Sequence, residues 1–131
     1  VQSPAGAAPY PIERAAHLYV GPFLNDEAGE SWAVAFRERL HRKYLEAILA
    51  HGRELEAQHD LETALTWYRR GLDQDDLMEA LYQRILYCCG VLGQRAEGIA
   101  AYERCRERLQ DALGIAPSSQ TDALRDVLLA L

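Results

Sequence analysis

The chain has 131 residues, 49% of them apolar, which is enough for one compact domain with its own core. Its 20 acidic and 14 basic residues give a formal charge of −6, which weakens the attraction that dominates nucleic-acid affinity and speaks against an independent DNA-binding module. Three cysteines without C-x-x-C spacing argue against a disulfide framework and suit a reducing cytoplasm, and no apolar run reaches the roughly 18 residues that span a bilayer. The start lacks a basic region followed by an apolar core, and it opens on Val1 rather than Met, so we expect a fragment of something larger.

Residues 1–11, VQSPAGAAPYP, are rich in proline and small side chains that bury too little to offset the entropy of ordering them, and read as a linker or chain edge. IERAAHLYV (12–20) has the pattern of a short apolar helix ended by Gly21-Pro22, with Phe23 and Leu24 turning inward. From Ser31, Trp32, Phe36, Leu40, Tyr44 and Ile48 recur every fourth residue, with Leu45, Gly52 and Leu55 on adjoining positions, predicting an amphipathic helix of about 25 residues. His59-Asp60 ends it, and Asp60 is a good N-cap for a second helix bearing Leu61, Ala64, Leu65, Tyr68 and Leu72.

Asp76 and Glu79 have capping-box spacing and predict a third helix through Leu77, Leu81, Ile85, Cys88, Cys89 and Leu92, closed at Gly93. A fourth helix spans about 96–113. Gly114 suits the left-handed position after its end, Ile115 can fold back on the last turn, and Pro117 cannot continue the helix. Ser118 or Ser119 then caps a last helix to about residue 131. No segment alternates apolar and polar residues as a half-buried strand would, so the fold class is all-α, and the short loops predict antiparallel helical hairpins.

The chain also aligns with itself. Ala64 and Gly98, Tyr68 and Tyr102, Gly71 and Cys105, Ile48 and Tyr82, and Leu55 and Cys89 are each related by an offset of 34 residues. That period with two helices per unit is the signature of tetratricopeptide repeats. Small residues at 64 and 98 permit close helix approach, tyrosines at 68 and 102 fill the gap between hairpins, and Gly52 stands where the first helix of a unit crosses the second. The prediction is a right-handed stack of antiparallel helical hairpins with a C-terminal capping helix.

Three stretches carry a family likeness. LYVGPFL (18–24) followed by SWAVAFRERLHRKYLEAI (31–48), the segment GQRAEGIAAYERCRERLQDALGIAPS (93–118), and the terminal helix with Thr121 and Leu124 together resemble the bacterial transcriptional activator domain (BTAD) of SARP-type and related regulators. The likeness covers about 12–131, and its L-G-I-x-P-S closure after a Y-x-x-x-R helix is its most specific part. In the family a further helix precedes the LYxGxFL turn, whereas linker-like sequence stands there in this chain. Either the sequence begins within the first repeat or the domain is a shortened variant. The apolar side of 15–20 would then be partly uncovered, which favours a partner domain or a homodimer contact there. The family's winged-helix DNA-binding domain lies outside this sequence.

The resemblance implies a non-catalytic interaction and effector-sensing module of a multidomain bacterial regulator. Its partners would be other domains of the same regulator, the transcription machinery or a small effector, without direct nucleic-acid or membrane contact. The alternative is a stand-alone tetratricopeptide-type scaffold or adaptor that binds peptides. No G-x-S-x-G, phosphate-cradling loop, H-E-x-x-H or EF-hand spacing points to an enzyme, and no cofactor or metal is expected. Cys88-Cys89 reads as buried packing rather than a redox pair, since adjacent helical side chains diverge by about 100°. His51 with Glu54 and His59 with Asp60 lack a third ligand, and Asp73, Asp75 and Asp76 read as helix capping rather than a calcium loop. The basic run RERLHRK (37–43) reads as a solvated face, and Trp67 as packing between hairpins rather than a partner anchor. If Ile48, Gly52 and Leu55 face the second helix, Leu49, Arg53 and Glu56 form the neighbouring stripe, and the repeat offset adds Gln83 and Tyr87. These five are the expected concave-face binding residues.

Overall fold

A computed structural model of the chain describes residues 27–131. The expected linker at 1–11 and the expected short helix and turn at 12–24 lie outside the described residues. Five helices follow in order: α1 (Glu27–Ala57), α2 (Leu61–Gln74), α3 (Glu79–Leu92), α4 (Arg95–Leu113) and α5 (Ser119–Leu129), with no strand among the described residues. The chain divides into two compact units, 1–51 and 52–131, with the boundary inside α1.

In the first unit, Ala33, Tyr44, Leu45 and Ile48 of α1 are buried, whereas Trp32 is 55% exposed and stacks on Phe36 with ring centroids 5.3 Å apart. Trp32 is thus not on the buried stripe that its four-residue spacing suggested. A helix turns once per 3.6 residues, so each four-residue step drifts by about 40°, and the drift between Trp32 and Ile48 carries the indole to another face. Ala33 and Tyr44, three turns apart, keep the register.

The second unit comprises the last turn of α1 and all of α2 to α5. Helix α3 is its centre: α2, α4 and α5 all pack on it, and α4 also packs on α5. Every position of the 34-residue offset is buried, from Ile48, Leu55, Ala64, Tyr68 and Gly71 to their counterparts Tyr82, Cys89, Gly98, Tyr102 and Cys105. The small residues sit at close approaches. A Cβ on Gly52 would overlap the Tyr68 ring, and one on Gly98 would stand 2.6 Å from Leu128 Cδ1.

The helix ends that the sequence predicts follow local chemistry with one exception. Asp60 accepts from the Thr63 N–H at 3.4 Å and caps α2, and Ser118 accepts from the Thr121 N–H at 3.4 Å and caps α5. Gly114 has φ of 67°, in the left-handed region, and its N–H donates to the Gln110 carbonyl at 2.9 Å. The Ile115 backbone folds back, donating to the Leu109 carbonyl at 3.4 Å, but its side chain stays 48% exposed. The exception is the capping box at Asp76 and Glu79. Helix α3 starts at Glu79 without a side-chain cap, Asp75 accepts from the Leu77 N–H at 3.0 Å, and Asp76 pairs with Arg108 at 3.0 Å. Glu79 cannot reach back because its carboxylate is held by Ser118 and Thr121 near the chain's end.

Candidate functional site

The five expected binding residues divide in space. Leu49 is half-buried on α1 within the first unit. Arg53, exposed, and Glu56, half-buried, stand on the α1 turn of the second unit. Glu56 is the hub of a polar cluster. It accepts from the Tyr68 hydroxyl, from Arg84 Nε at 3.1 Å, and from Arg84 Nη2. The Arg84 guanidinium in turn lies over the Tyr87 ring, 4.7 Å from its centroid, and Tyr87 is 42% exposed. Arg84 therefore joins Glu56 to Tyr87, with Arg53 close enough for its charge to act on the Glu56 carboxylate. Gln83, one residue earlier on α3, points elsewhere: its Nε2 donates to Thr121 Oγ1 at 3.0 Å and reaches Ser118 Oγ at 3.4 Å.

The electrostatics fix what this cluster can do. Burial works against the Glu56 charge, but the Arg84 guanidinium and the Tyr68 hydroxyl outweigh it and hold the carboxyl below its ordinary value. Burial raises the Tyr68 hydroxyl, and its bond to the Glu56 carboxylate raises it further. A saturated carboxylate and a protonated phenol form a rigid support rather than an acid–base pair. What stays accessible is a planar guanidinium at Arg53 and an aromatic face with a hydroxyl at Tyr87. Sequence reasoning missed Arg84. Its partner lies 28 residues away, so no local spacing signals the pair.

A family model described as the bacterial transcriptional activator domain matches residues 3–129. The chain belongs to the bacterial transcriptional activator domain family. Comparison with curated proteins and with solved structures gives no match. BTAD domains are regulatory rather than enzymatic and sit in multidomain regulators. No helix among the described residues is long and apolar enough to cross a membrane.

The segment of this BTAD chain that carried the likeness is also where α5 is tied down. The Glu79 carboxylate accepts from the Ser118 N–H at 2.8 Å and from the Thr121 hydroxyl, and Thr121 is fully buried. Burial opposes the Glu79 charge, and these donors overcome it, lowering the carboxyl below its ordinary value. On the other side of α5, the Tyr102 hydroxyl donates to Asp122 at 2.7 Å and accepts from Arg125 Nη1 at 3.0 Å. The P-S-x-x-T sequence of the closure thus supplies both the cap of α5 and its anchor to α3.

The remaining singled-out residues take structural places. Cys88, Cys89 and Cys105 are buried free thiols; burial pushes Cys88 and Cys105 up to about 12 and also raises Cys89, so all three stay neutral and poorly nucleophilic. Trp67 is half-buried, with the Arg70 guanidinium 4.5 Å from its ring centroid. Among the described residues no group of three or more His, Cys, Asp or Glu side chains converges as a metal site would.

Proposed function

We propose that this domain is the interaction and effector-sensing part of a multidomain transcription regulator, coupling contacts on its surface to a DNA-binding domain elsewhere in the same polypeptide. The supporting observation is the Glu56–Arg84–Tyr87 assembly. It spans α1 and α3, is held internally by Tyr68, and leaves Arg53 and Tyr87 exposed. Leu49 and Gln83 flank that surface in sequence. In this reading the hairpins stack right-handedly with α5 as the cap. Another domain of the regulator, the transcription machinery, a small effector or a second copy engages the concave side, and binding shifts the populations of two regulator states. The domain works in the cytoplasm. It makes no direct nucleic-acid contact, consistent with a formal charge of −6.

The test is transcription by the full-length regulator carrying Arg53→Ala and Tyr87→Ala together. Regulated transcription falls while protein abundance and melting temperature stay normal. Unchanged regulation would mean that signalling runs through another surface.

A further inference from the structure

Between α2, α3 and α4 lies a cleft of about 360 Å3, within the range of small-molecule sites. Leu72 and Ile85, both buried, form its floor, and Ala100 and Ala101 leave room along the α4 wall. The rim is charged, with Arg69 and Asp73 on α2 and Glu97 and Arg104 on α4. Neighbouring groups fix where these four stand. Arg69 and Glu97 both act on the Cys89 thiol, and Gly98 abuts the Cys89 side chain, so Arg69 and Glu97 share one end. Arg104 acts on the Tyr82 hydroxyl, two turns back along α3, and Asp73 lies one turn beyond Arg69 in the same direction. Each end of an apolar trough therefore carries one guanidinium and one carboxylate, on facing walls.

None of these four side chains forms an ion pair among the described residues, unlike Asp76 with Arg108 beside them. At the Cys89 end the neighbouring Glu62 is already occupied by Gln94, which donates to it at 3.1 Å, so Glu97 is the carboxylate left to receive a donor. The apolar floor between the two charged ends runs for about one helical turn on α2, from Arg69 to Asp73, and about two turns on α4, from Glu97 to Arg104, roughly 6 to 10 Å. That leaves room for a leucine or phenylalanine side chain. A carboxylate and an ammonium on one carbon, next to such a side chain, would satisfy both walls of one end and the floor together.

We propose that this cleft binds a free α-amino acid with a large apolar side chain, its carboxylate on Arg69, its ammonium on Glu97 and its side chain over Leu72 and Ile85. This site is separate from the Arg53–Tyr87 surface and stands or falls independently of it. A peptide segment lacks the two charges on a single carbon and does not fit the Arg69–Glu97 end.

The test is an NMR titration of the 131-residue chain with L-leucine and L-phenylalanine. Saturable shifts at Leu72, Ile85, Ala100 and Ala101 are expected. Arg69→Gln and Glu97→Gln each weaken binding about tenfold, the loss of one charge-assisted hydrogen bond. Both positions are exposed, so the melting temperature stays unchanged. Asp73→Asn and Arg104→Gln leave the affinity within about twofold, while 3-methylbutylamine and 4-methylpentanoate, each lacking one charge, bind about tenfold more weakly than L-leucine. Three results would overturn the proposal: no saturable shift, equal affinity in the Arg69 and Glu97 variants, or N-acetyl-L-leucine amide binding as well as L-leucine.

Discussion

Gly52→Ala tests the closest helix approach in the second unit. A Cβ there overlaps the far edge of the Tyr68 ring, and Tyr68 is fully buried with its hydroxyl tied to Glu56. The ring cannot swing aside without breaking that bond, so the cost belongs at the upper end of the overpacking range, about 3 kcal/mol. Alanine returns about 1 kcal/mol of helix propensity over glycine, leaving a net loss of about 2 kcal/mol. For a domain of this size the loss lowers the melting temperature by roughly 8 °C in a circular-dichroism melt. Tyr68→Leu removes the overlapping atoms and also destabilises alone, by roughly 2–4 kcal/mol through a cavity and a lost hydrogen bond. In the double variant the clash is gone, so its cost falls short of the sum of the two single costs by about 1–3 kcal/mol. Strict additivity, or a Gly52→Ala protein melting at or above the parent temperature, would refute the close-packed crossing.

Gly114→Val strains the left-handed turn by about 1 kcal/mol or more in a urea titration, and because nothing lies within 4 Å of the added Cβ, the cost is backbone alone; Gly114→Asn, which tolerates that φ, loses clearly less in the same assay. Glu56 and Glu79 have folded pKa values below the ordinary 4.5, so their contribution is full above about pH 4.5 and is lost as pH falls through the folded values. Glu56→Gln is destabilising at neutral pH and flattens the acid limb of the urea midpoint plotted against pH; an acid limb identical to the parent's would contradict the Arg84 pairing. The raised Cys88 and Cys105 thiols resist alkylation in the native protein at about pH 8 and react only at the rate of unfolding, whereas rapid modification under native conditions would show them accessible.

What the sequence disclosed was governed by short-range chemistry and by period. The offset of 34 picked out buried positions at both members of each pair, and Asp60, Gly114 and Ser118 end or start helices through partners within four residues. What it hid depends on chain-distant partners. Glu79 fits a local capping box by spacing, yet its carboxylate is taken by Thr121, 42 residues on, where a buried hydroxyl needs an acceptor. Arg84 and Gln83 are adjacent and equally polar, but one meets Glu56 and the other Thr121, a choice made by the placement of α1 and α5 against α3. The α2–α4 cleft is lined on its α4 wall by alanines at 100 and 101, which read in the sequence only as good helix formers.

In the proposed function, the surface bearing Arg53 and Tyr87 is where this domain is engaged when the regulator acts. Hydroxyl-radical footprinting of Tyr87 measures it directly, because the ring is 42% exposed in this domain and should oxidise readily. In the full-length regulator in its activating state, Tyr87 oxidation falls severalfold relative to the isolated chain, with the helix content of the chain unchanged. Equal oxidation of Tyr87 in the two would contradict the claim.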